Sequence, residues 1–454
     1  MNVEEIRHDF PALRTRPDGA PVYLDSACMS LVPRPVLEAM NAYYSEYPGC
    51  AGRSLHRFAQ EVGQRYDAAR ETFARFLGRA DARGIVFLRN ATEAINLVAQ
   101  GLPWKPGDVV VISDQEHNSN LVVWQRLVAE RGIRIEVLPL SDDGSFDGDE
   151  LDRRLRGNVR LVSLFHTSNV DGRTLPAREI VERAHARGAL VLFDGCQAAP
   201  HRRVDADRLG ADFYAVSAHK MLGPTGTGVL AAAVEPLAAL RPLLVGGETV
   251  EWTTLSGHAL RGPPHRFEAG LQNYAGVIGA AAGLDYLSRL GLEEVETQQR
   301  SVNEAVTRAL RDAKRVRLLG PSDAAERPSV FAFTLEGIDP NDAAVFLDEG
   351  HRVMVRSGRH CAHSFYERRG IPGNVRASFY LYNHREDGAA FVRGIEELLA
   401  RIPAPSGTSA ATAASSTRGG SARRAAGSRG AAVRSARPRR TAAPRRAGSA
   451  ARSG

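Results

Sequence analysis

Short apolar segments alternate with amphipathic segments through the first half of the chain. The apolar segments are rich in Val, Ile, Leu and Phe, which is typical of strands buried on both faces of a sheet. Between them, apolar residues recur every three or four positions, as they do along one face of a helix. We predict strands at 85–89, 109–113, 134–139, 160–165, 189–194 and 213–217, and helices at 92–102, 119–132 and 176–188.

This alternation predicts an α/β fold with a large, mostly parallel sheet and helices on both of its faces. After about residue 260 the pattern changes to two long helices, at 275–290 and 293–314, followed by a smaller α+β unit. We place the strands of that unit at 329–337, 352–356 and 375–380, and its helices at 340–349 and 385–401.

We therefore divide the chain into four parts. A short N-terminal segment (1–20) is expected to pack on the small domain, and a large domain (21–262) is followed by a small C-terminal domain (263–402). The last part (403–454) is rich in Ala, Ser, Gly, Arg and Pro without periodicity, a composition typical of disorder.

The positive charge of the chain belongs to this last part. Residues 405–454 contain eleven Arg and no Asp, Glu or Lys, and removing those eleven charges from the total of +7 leaves −4 for residues 1–404. The folded part is thus mildly acidic, which excludes a basic nucleic-acid-binding body as the first interpretation. The tail itself is expected to bind polyanions weakly and without sequence preference.

The sequence does not have the features typical of a disulfide-rich, secreted or membrane-spanning protein. Four Cys without a CxxC pair argue against a disulfide scaffold, and the N-terminus MNVEEIRHDF has no apolar core of a signal peptide. The longest low-charge stretch, 269–284, is shorter than the ~20 residues of a membrane-spanning helix. We expect a soluble protein of the reducing cytoplasm, without membrane contact.

Lysine is scarce, with Lys105, Lys220 and Lys314 the only three among 59 basic residues. Lys220 directly follows a predicted strand in the segment SAHK (217–220), whereas the other two lie in a turn and near a helix end. The spacing Ser-x-x-Lys is also that of serine β-lactamases, but no K-T-G element accompanies it. The glycines that follow lead into a strand rather than a helix, which excludes a dinucleotide fingerprint.

Polar residues follow the other predicted strands at the sheet edge where ligands bind. Asp194 ends one strand and could be a turn former or the carboxylate that pairs with a protonated ring nitrogen. Asn90-Ala91-Thr92-Glu93 could be a plain helix cap or a phosphate cradle. With Lys220 as the amine, these groups match the needs of pyridoxal phosphate (PLP). His117 and Asn169 follow two further strands.

Together these segments resemble the group II (SUF-type) cysteine desulfurases of the class V aminotransferase family, over about residues 8–402. The resemblance is carried, in order along the chain, by YLDSA (23–27), ATEAINLVA (91–99), EHNSN (116–120), SNVDG (168–172), DGCQA (194–198), SAHKMLGPTGTGVL (217–230), RFEAG (266–270), RSGRHCA (356–362) and RAS (376–378).

The resemblance implies a PLP-dependent transferase of fold type I and a homodimer. The implied reaction converts L-cysteine to L-alanine and leaves the sulfur as a persulfide on Cys361. That sulfur would pass to an acceptor protein and supply iron–sulfur cluster assembly or other sulfur metabolism. Lys220 would attach the cofactor and carry protons, and Asp194 would pair with the ring nitrogen. No metal is implied, because HCAH (360–363) lacks a second pair of ligands.

The resemblance assigns the remaining site residues as well. His117 would stack on the ring as a catalytic residue, Gln197 would bind the ring oxygen, and Arg376, helped by Asn169, would bind the substrate carboxylate. Arg356, Arg359 and His360 lie close to Cys361 in sequence and are expected to favour its thiolate. The phosphate would be held by Ala91 (backbone), Thr92, Ser217 and His219.

Four positions depart from the family pattern: Cys28, Gly52, Cys196 and Leu271, the last of which stands where a Thr commonly contacts the partner's phosphate. Alternative activities on the same cofactor site are transamination, epimerisation and selenocysteine lysis, and transamination does not need Cys361. An alternative of another class is nucleic-acid binding through the Arg-rich tail.

Overall fold

The computed structural model describes residues 1–14, 19–142 and 145–403, and its central feature is a seven-stranded sheet. The strand order is β2-β8-β7-β6-β5-β3-β4. Five neighbouring strands are parallel, and β8 runs antiparallel to both of its neighbours. The strands of this sheet are β2 (Ile85–Leu88), β3 (Val109–Ser113), β4 (Arg134–Leu138), β5 (Val159–Phe165), β6 (Leu190–Asp194), β7 (Phe213–Ser217) and β8 (Gly228–Ala232).

The remaining strands are short and form smaller sheets. A parallel pair joins β1 to β13, a hairpin joins β9 to β10, and an antiparallel four-stranded sheet has the order β11-β12-β15-β14. Their bounds are β1 (Val22–Tyr23), β9 (Val250–Thr253), β10 (His258–Leu260), β11 (Val316–Leu318), β12 (Val330–Leu335), β13 (Val353–Met354), β14 (Arg356–Gly358) and β15 (Asn374–Ser378).

Fourteen α-helices accompany these strands in the described ranges, with single turns of 3-10 helix between some of them. The helices are α1 (Val3–Arg7), α2 (Arg34–Ser45), α3 (Arg57–Leu77), α4 (Ala91–Gly101), α5 (Val122–Arg131), α6 (Gly148–Arg154), α7 (Ala177–His185), α8 (Ala206–Leu209), α9 (Val234–Ala239), α10 (Tyr274–Leu290), α11 (Leu292–Leu310), α12 (Pro340–His351), α13 (His363–Arg369) and α14 (Arg385–Arg401).

Helices cover both faces of the large sheet, as the unbroken apolar strands predict. In β3, Val109 and Val111 point into one core, which α3 and α10 share, whereas Val110 and Ile112 point into a second core with α4 and α5. Successive side chains of a strand face opposite sides, so a strand buried on both faces must be apolar at every position. The predicted α/β fold with a mostly parallel sheet is confirmed.

The small sheet has its own core beneath α11, α12 and α14. The sequence predicted a single strand at 352–356, but the structure divides this segment in two. Val353–Met354 pairs with Val22–Tyr23, and Arg356–Gly358 pairs with β15. The segment therefore changes its pairing partner at residue 355, which an apolar pattern cannot reveal.

The N-terminal segment contacts residues of the predicted small-domain range. Phe10 packs against Tyr286 of α10 and against Tyr382, and Arg7 forms an ion pair with Asp387 of α14. Helix α10 lies in the predicted small-domain range, yet its buried residues join the core beneath the large sheet. The domain boundaries at 20/21 and 262/263 stay predictions. The predicted tail (403–454) lies outside the described residues from residue 404 onward. No described helix is long and apolar enough to cross a membrane.

Two histidines, His166 and His201, are buried in the fold. The Nδ1 of His166 lies 2.7 Å from the Tyr214 hydroxyl, and the Nδ1 of His201 lies 2.8 Å from Oε1 of Gln299. Burial lowers the pKa of His166 to about 3 and that of His201 to about 4, from an ordinary value of 6.5. Both rings are therefore neutral in the folded protein at neutral pH.

Because these two histidines are neutral in the folded protein, we predict that the free energy of unfolding falls as the pH decreases from 6.5 toward 4. In this window the unfolded chain binds protons that the folded chain does not, so each histidine removes up to ~1.4 kcal/mol per pH unit from the free energy of unfolding. Urea unfolding followed at several pH values measures this slope. His166→Asn should make the slope shallower, whereas His258→Asn, at an exposed position, should not change it. An unchanged slope in His166→Asn would contradict the prediction.

Candidate active site

A cavity of about 240 Å³ lies where β6 and β7 end and the small sheet meets the large one. All the site residues predicted from the sequence line this cavity, although they come from seven separate segments of the chain. They are Ala91, Thr92, His117, Asn169, Asp194, Gln197, Ser217, His219, Lys220, Cys361 and Arg376.

Lys220 reaches the cavity from a single 3-10 turn, Ala218–Lys220, that directly follows β7. The last residue of β7, Ser217, accepts a hydrogen bond from the backbone N–H of Ala91 at 2.9 Å. This contact joins the end of β7 to the start of α4. The close approach of the neighbouring strand requires Gly228, since a Cβ atom there would lie 2.4 Å from the Cα of Asn90.

The N-terminus of α4 also faces the cavity. Asn90 caps the helix, because its side chain accepts the Glu93 N–H at 3.0 Å, and the Thr92 and Ser119 hydroxyls lie 2.7 Å apart. A helix N-terminus carries partial positive charge and unpaired N–H groups, which attract anions. The two interpretations of Asn90-Ala91-Thr92-Glu93, a helix cap and an anion cradle, are therefore compatible in this structure.

Asp194 stands at the carboxyl end of β6, where its side chain accepts the Cys196 N–H at 3.1 Å. The turn after it needs Gly195, because a Cβ atom there would lie 1.9 Å from the Tyr214 ring. Burial raises the pKa of the Cys196 thiol to about 12. Asp194 thus carries a carboxylate into the cavity, while its neighbour Cys196 remains a neutral thiol.

His117 is neutral in this environment. Burial, followed by the positive charge of Lys220, lowers the pKa of His117 to about 4. The backbone N–H of Ser119 donates to Nδ1 of His117 at 3.1 Å, which assigns the ring proton to Nε2. Burial likewise lowers the pKa of His219 to about 4, so this histidine can donate a hydrogen bond but supplies no charge at neutral pH.

The Gln197 side chain lines the cavity, and only one of its two polar atoms is hydrogen-bonded to a described protein group. Its Nε2 donates to the backbone carbonyl of Ala27 at 2.7 Å, but its buried Oε1 has no partner among the described residues. A buried polar atom without a partner is costly, and it marks a place where a bound group or water completes the site.

Cys361 lies on a short loop that is hydrogen-bonded to segments following strands β3 and β5 of the large sheet. Its carbonyl accepts the Asn118 N–H at 2.6 Å, and the His360 carbonyl accepts Nδ2 of Asn169 at 2.7 Å. Both His360 and Cys361 have positive φ angles, 46° and 58°, which are unfavourable for residues with a Cβ atom. The two hydrogen bonds hold this strained backbone in place.

Of the three side chains that were predicted to favour the Cys361 thiolate, not all bring positive charge to its sulfur. Arg356 does approach its sulfur, with Nη2 3.9 Å from Sγ. Arg359 instead donates to the Pro372 carbonyl on the surface, and burial lowers the pKa of His360 to about 2. The prediction that His360 favours the Cys361 thiolate is therefore wrong, because a buried neutral ring cannot stabilise a thiolate by charge.

Arg376 is fully buried at the cavity wall. Its Nη1 donates to the Asn169 carbonyl at 2.5 Å, its Nη2 bonds the Asp25 carboxylate at 3.2 Å, and its Nε lacks a partner within the described ranges. Two of the five guanidinium N–H donors are thus used, and the others, that of Nε among them, remain for a bound carboxylate. Asn169 uses its side chain to hold the His360 carbonyl and its own carbonyl to hold Arg376, so here it positions these groups.

Sequence reasoning did not identify three further residues of the site. Asp25, which bonds Arg376, lies in the segment YLDSA that carried the resemblance, so that motif contained the signal. Ser119 bonds both Thr92 and His117, and Thr167 lines the cavity. Ser119 lies in EHNSN, which also carried the resemblance, whereas Thr167 has no pattern in the sequence that distinguishes it from an ordinary loop residue.

The chain is similar to known proteins in sequence and in fold. Residues 22–391 match the family model described as aminotransferase class-V. A protein of Dickeya dadantii named cysteine desulfurase is 38% identical over 401 residues, which are 87% of this chain and 96% of that protein.

Two solved structures are similar over nearly the whole described chain. An apo cysteine desulfurase from Thermococcus onnurineus NA1 has a TM-score of 0.84 at 37% identity and covers 88% of this chain and 98% of its own. The cysteine desulfurase CsdA from Escherichia coli, in an S-sulfonic acid form, has a TM-score of 0.82 at 35% identity, with coverage of 89% and 100%.

The site geometry predicts unequal reactivity of the four cysteines. Arg356 attracts the negative charge that a reacting sulfur acquires, and it contacts both Cys28 and Cys361, whereas Cys196 is a buried neutral thiol. Iodoacetamide at pH 7.5 should alkylate Cys28 and Cys361 well before Cys196, as measured by peptide mass spectrometry. Arg356→Gln should slow labelling of Cys28 and Cys361 and leave Cys50, which lies outside the cavity wall, unchanged. Equal rates in both proteins would contradict the assigned role of Arg356.

Proposed function

We propose that this chain, which belongs to the aminotransferase class-V family, is a PLP-dependent cysteine desulfurase that converts L-cysteine to L-alanine. The observation that carries the proposal is that Lys220 and Cys361, an amine and a thiol from different parts of the fold, line the same cavity. The amine serves PLP chemistry in general, and the thiol serves sulfur removal in particular. Among the alternative activities, transamination does not use the Cys361 thiol.

The residues of the cavity fit PLP. Ser217, His219, Thr92 and the start of α4 offer hydrogen-bond donors for a phosphate group, and Asp194 offers a carboxylate for a ring nitrogen. The unpartnered Oε1 of Gln197 supports a further polar group in the cavity. When bound, the cofactor supplies an electrophilic carbon for the amine of the substrate and withdraws electrons from its α-carbon.

We assign substrate orientation to Arg376, whose Nε is unpartnered and whose guanidinium is fixed by Asp25 and by the Asn169 carbonyl. A fixed guanidinium binds a carboxylate without losing side-chain entropy, and burial strengthens the interaction. His117, held through Nδ1 by Ser119, presents a flat neutral ring to the cavity and positions the cofactor ring by stacking.

Lys220 and Cys361 perform the covalent steps. The Nζ of Lys220 takes the proton from the α-carbon of the substrate and returns a proton to the carbon side. The Sγ of Cys361 attacks the sulfur of L-cysteine, and the carbon–sulfur bond breaks with its electron pair staying on carbon. A proton then completes the methyl group of alanine, and the sulfur remains on Cys361 as a persulfide. An acceptor protein would remove it for iron–sulfur cluster assembly or other sulfur metabolism.

A homodimer is supported by one apolar surface. Leu244 and Leu271 line a single cleft and are 55% and 60% exposed, and the nearby hairpin β9–β10 exposes Trp252 and Leu255. An apolar patch of this kind on a folded chain marks an interface. We infer that a second copy covers it, with the apolar Leu271 at the position where the resemblance implies a Thr.

We place the protein in the cytoplasm, since all four cysteines are free thiols, as expected in a reducing compartment. The Arg-rich tail is not required for the reaction as proposed, because every residue with an assigned role lies before residue 404. Weak binding of polyanions by this tail stays a prediction.

Lys220 is expected to carry the cofactor, so the purified protein should be yellow. Lys220→Ala should lower alanine production from L-cysteine by roughly 10²–10⁴-fold, the usual contribution of a group that transfers protons. Lys105→Ala serves as the matched control and should keep the wild-type rate. Borohydride reduction followed by peptide mapping should find the pyridoxyl group on Lys220. Finding it on Lys105 or Lys314 would overturn the assignment.

Cys361→Ser should separate cofactor binding from sulfur removal. The variant should stay yellow and change its absorption spectrum on addition of L-cysteine, because the amine chemistry does not need the thiol. Its production of alanine and sulfide should fall to background, while selenocysteine, with a weaker bond to carbon, should be partly spared. Cys50→Ser is the control and should match the wild type. Alanine formation at the wild-type rate in Cys361→Ser would refute the desulfurase mechanism.

A further inference from the structure

The cavity contains a second thiol that the reaction as described does not use. Cys28 lies in the cavity wall on a turn closed by its own N–H, which donates to the Asp25 carbonyl at 3.0 Å. The preceding residue, Ala27, is held from two sides. Its N–H donates to the Ser378 hydroxyl at 2.9 Å, and its carbonyl accepts Nε2 of Gln197 at 2.7 Å. Cys28 therefore follows a residue that is fixed by strand β15 and by the segment after β6.

One guanidinium connects the two thiols. Nη1 of Arg356 lies 2.6 Å from the Cys28 sulfur, and Nη2 of the same side chain lies 3.9 Å from the Cys361 sulfur. Because both nitrogens belong to one planar group, the two sulfur atoms face the same charge across its width. A thiolate at either position therefore has the same counter-charge beside it.

Neither of the other cysteines offers this arrangement. Cys196 also lines the cavity, but it is buried and its pKa is raised to about 12, so its thiol remains protonated. Cys50 is free and partly exposed but does not line the cavity. Cys28 is consequently the cysteine that can exchange sulfur with Cys361 inside the site.

We propose that Cys28 is a second persulfide site, which receives the sulfur that Cys361 has taken from the substrate. This inference rests on the proposed function, since the reaction must first load Cys361. The Cys28 thiolate attacks the outer sulfur of the Cys361 persulfide and forms a new sulfur–sulfur bond. The bond between that sulfur and Cys361 breaks, and Cys361 leaves with the electron pair as a thiolate. One thiolate is consumed and one is formed, so the step needs no oxidant or reductant.

The position of Arg356 suits this exchange. Negative charge moves from Cys28 to Cys361 during the step, and the guanidinium contacts both ends of that movement. The charge is therefore never left without a partner in the cavity. The exchange frees Cys361 for a second substrate while the first sulfur is retained on Cys28, so one subunit stores two sulfur atoms when no acceptor is present.

The test counts alanine and locates sulfur in the cofactor-loaded, full-length protein, mixed with L-cysteine without any added thiol or acceptor protein. The fast phase should release about two alanines per subunit in the wild type and in the control Cys50→Ser, but about one in Cys28→Ser and in Cys28→Ala, since only one persulfide site remains. Alkylation of persulfides and peptide mass spectrometry should then find sulfur on both Cys28 and Cys361 in the wild type. In Cys361→Ser it should find none on Cys28.

The outcomes distinguish the second persulfide site on Cys28 from the desulfurase function on which it rests. A fast phase of one alanine in the wild type, with sulfur on the Cys361 peptide alone, overturns the second site and leaves the desulfurase function intact. Sulfur on Cys28 in Cys361→Ser would also overturn the proposed transfer, because it would show direct loading from the substrate. Absence of alanine from the wild type would refute the desulfurase function itself. The two Cys28 variants agree only if loss of the thiol, rather than a change in packing, causes the effect.

Discussion

The buried guanidinium of Arg376 holds together the segments that form the cavity. It is 1% exposed, it belongs to the small sheet, and it bonds the Asp25 carboxylate and the Asn169 carbonyl, which come from two other parts of the chain. Removing a charge from water is costly unless its hydrogen-bond partners are in place. The ion pair therefore requires that all three segments meet, and the cavity exists only where they do.

The loop of Cys361 depends on the same junction. Asn169 contacts Arg376 through its carbonyl and the His360 carbonyl through its side chain, so the charge and the nucleophile loop share one support. The loop residues His360 and Cys361 have left-handed backbone conformations, which cost free energy and persist only when the surroundings hold them. These contacts keep the Cys361 thiol in the wall of the cavity that Lys220 also lines.

Burial also determines which groups in the site carry charge. His117, His219 and His360 all have lowered pKa values, and Cys196 has a raised one, because the cavity wall disfavours the charged form of each. The histidines and Cys196 therefore add no charge to the site at neutral pH. Arg356 and Arg376, which line the cavity, favour anionic partners, a substrate carboxylate and a sulfur anion among them.

The sequence alone determined the large sheet and the identity of the main chemical groups. Strands that are buried on both faces must be apolar throughout, so β3 and β7 could be predicted to their first and last residues, and a chain with three lysines left one at a strand end. The tertiary structure decided what depends on contacts between distant segments. The change of pairing partner at residue 355, the ion pair of Arg376 with Asp25, the neutrality of His360 and the pairing of Cys28 with Cys361 through Arg356 all arise from groups far apart in the chain. The periodicity of apolar residues indicates which side of a helix or strand is buried. The charge of a group and its distance from other groups at a site depend on how distant segments pack together.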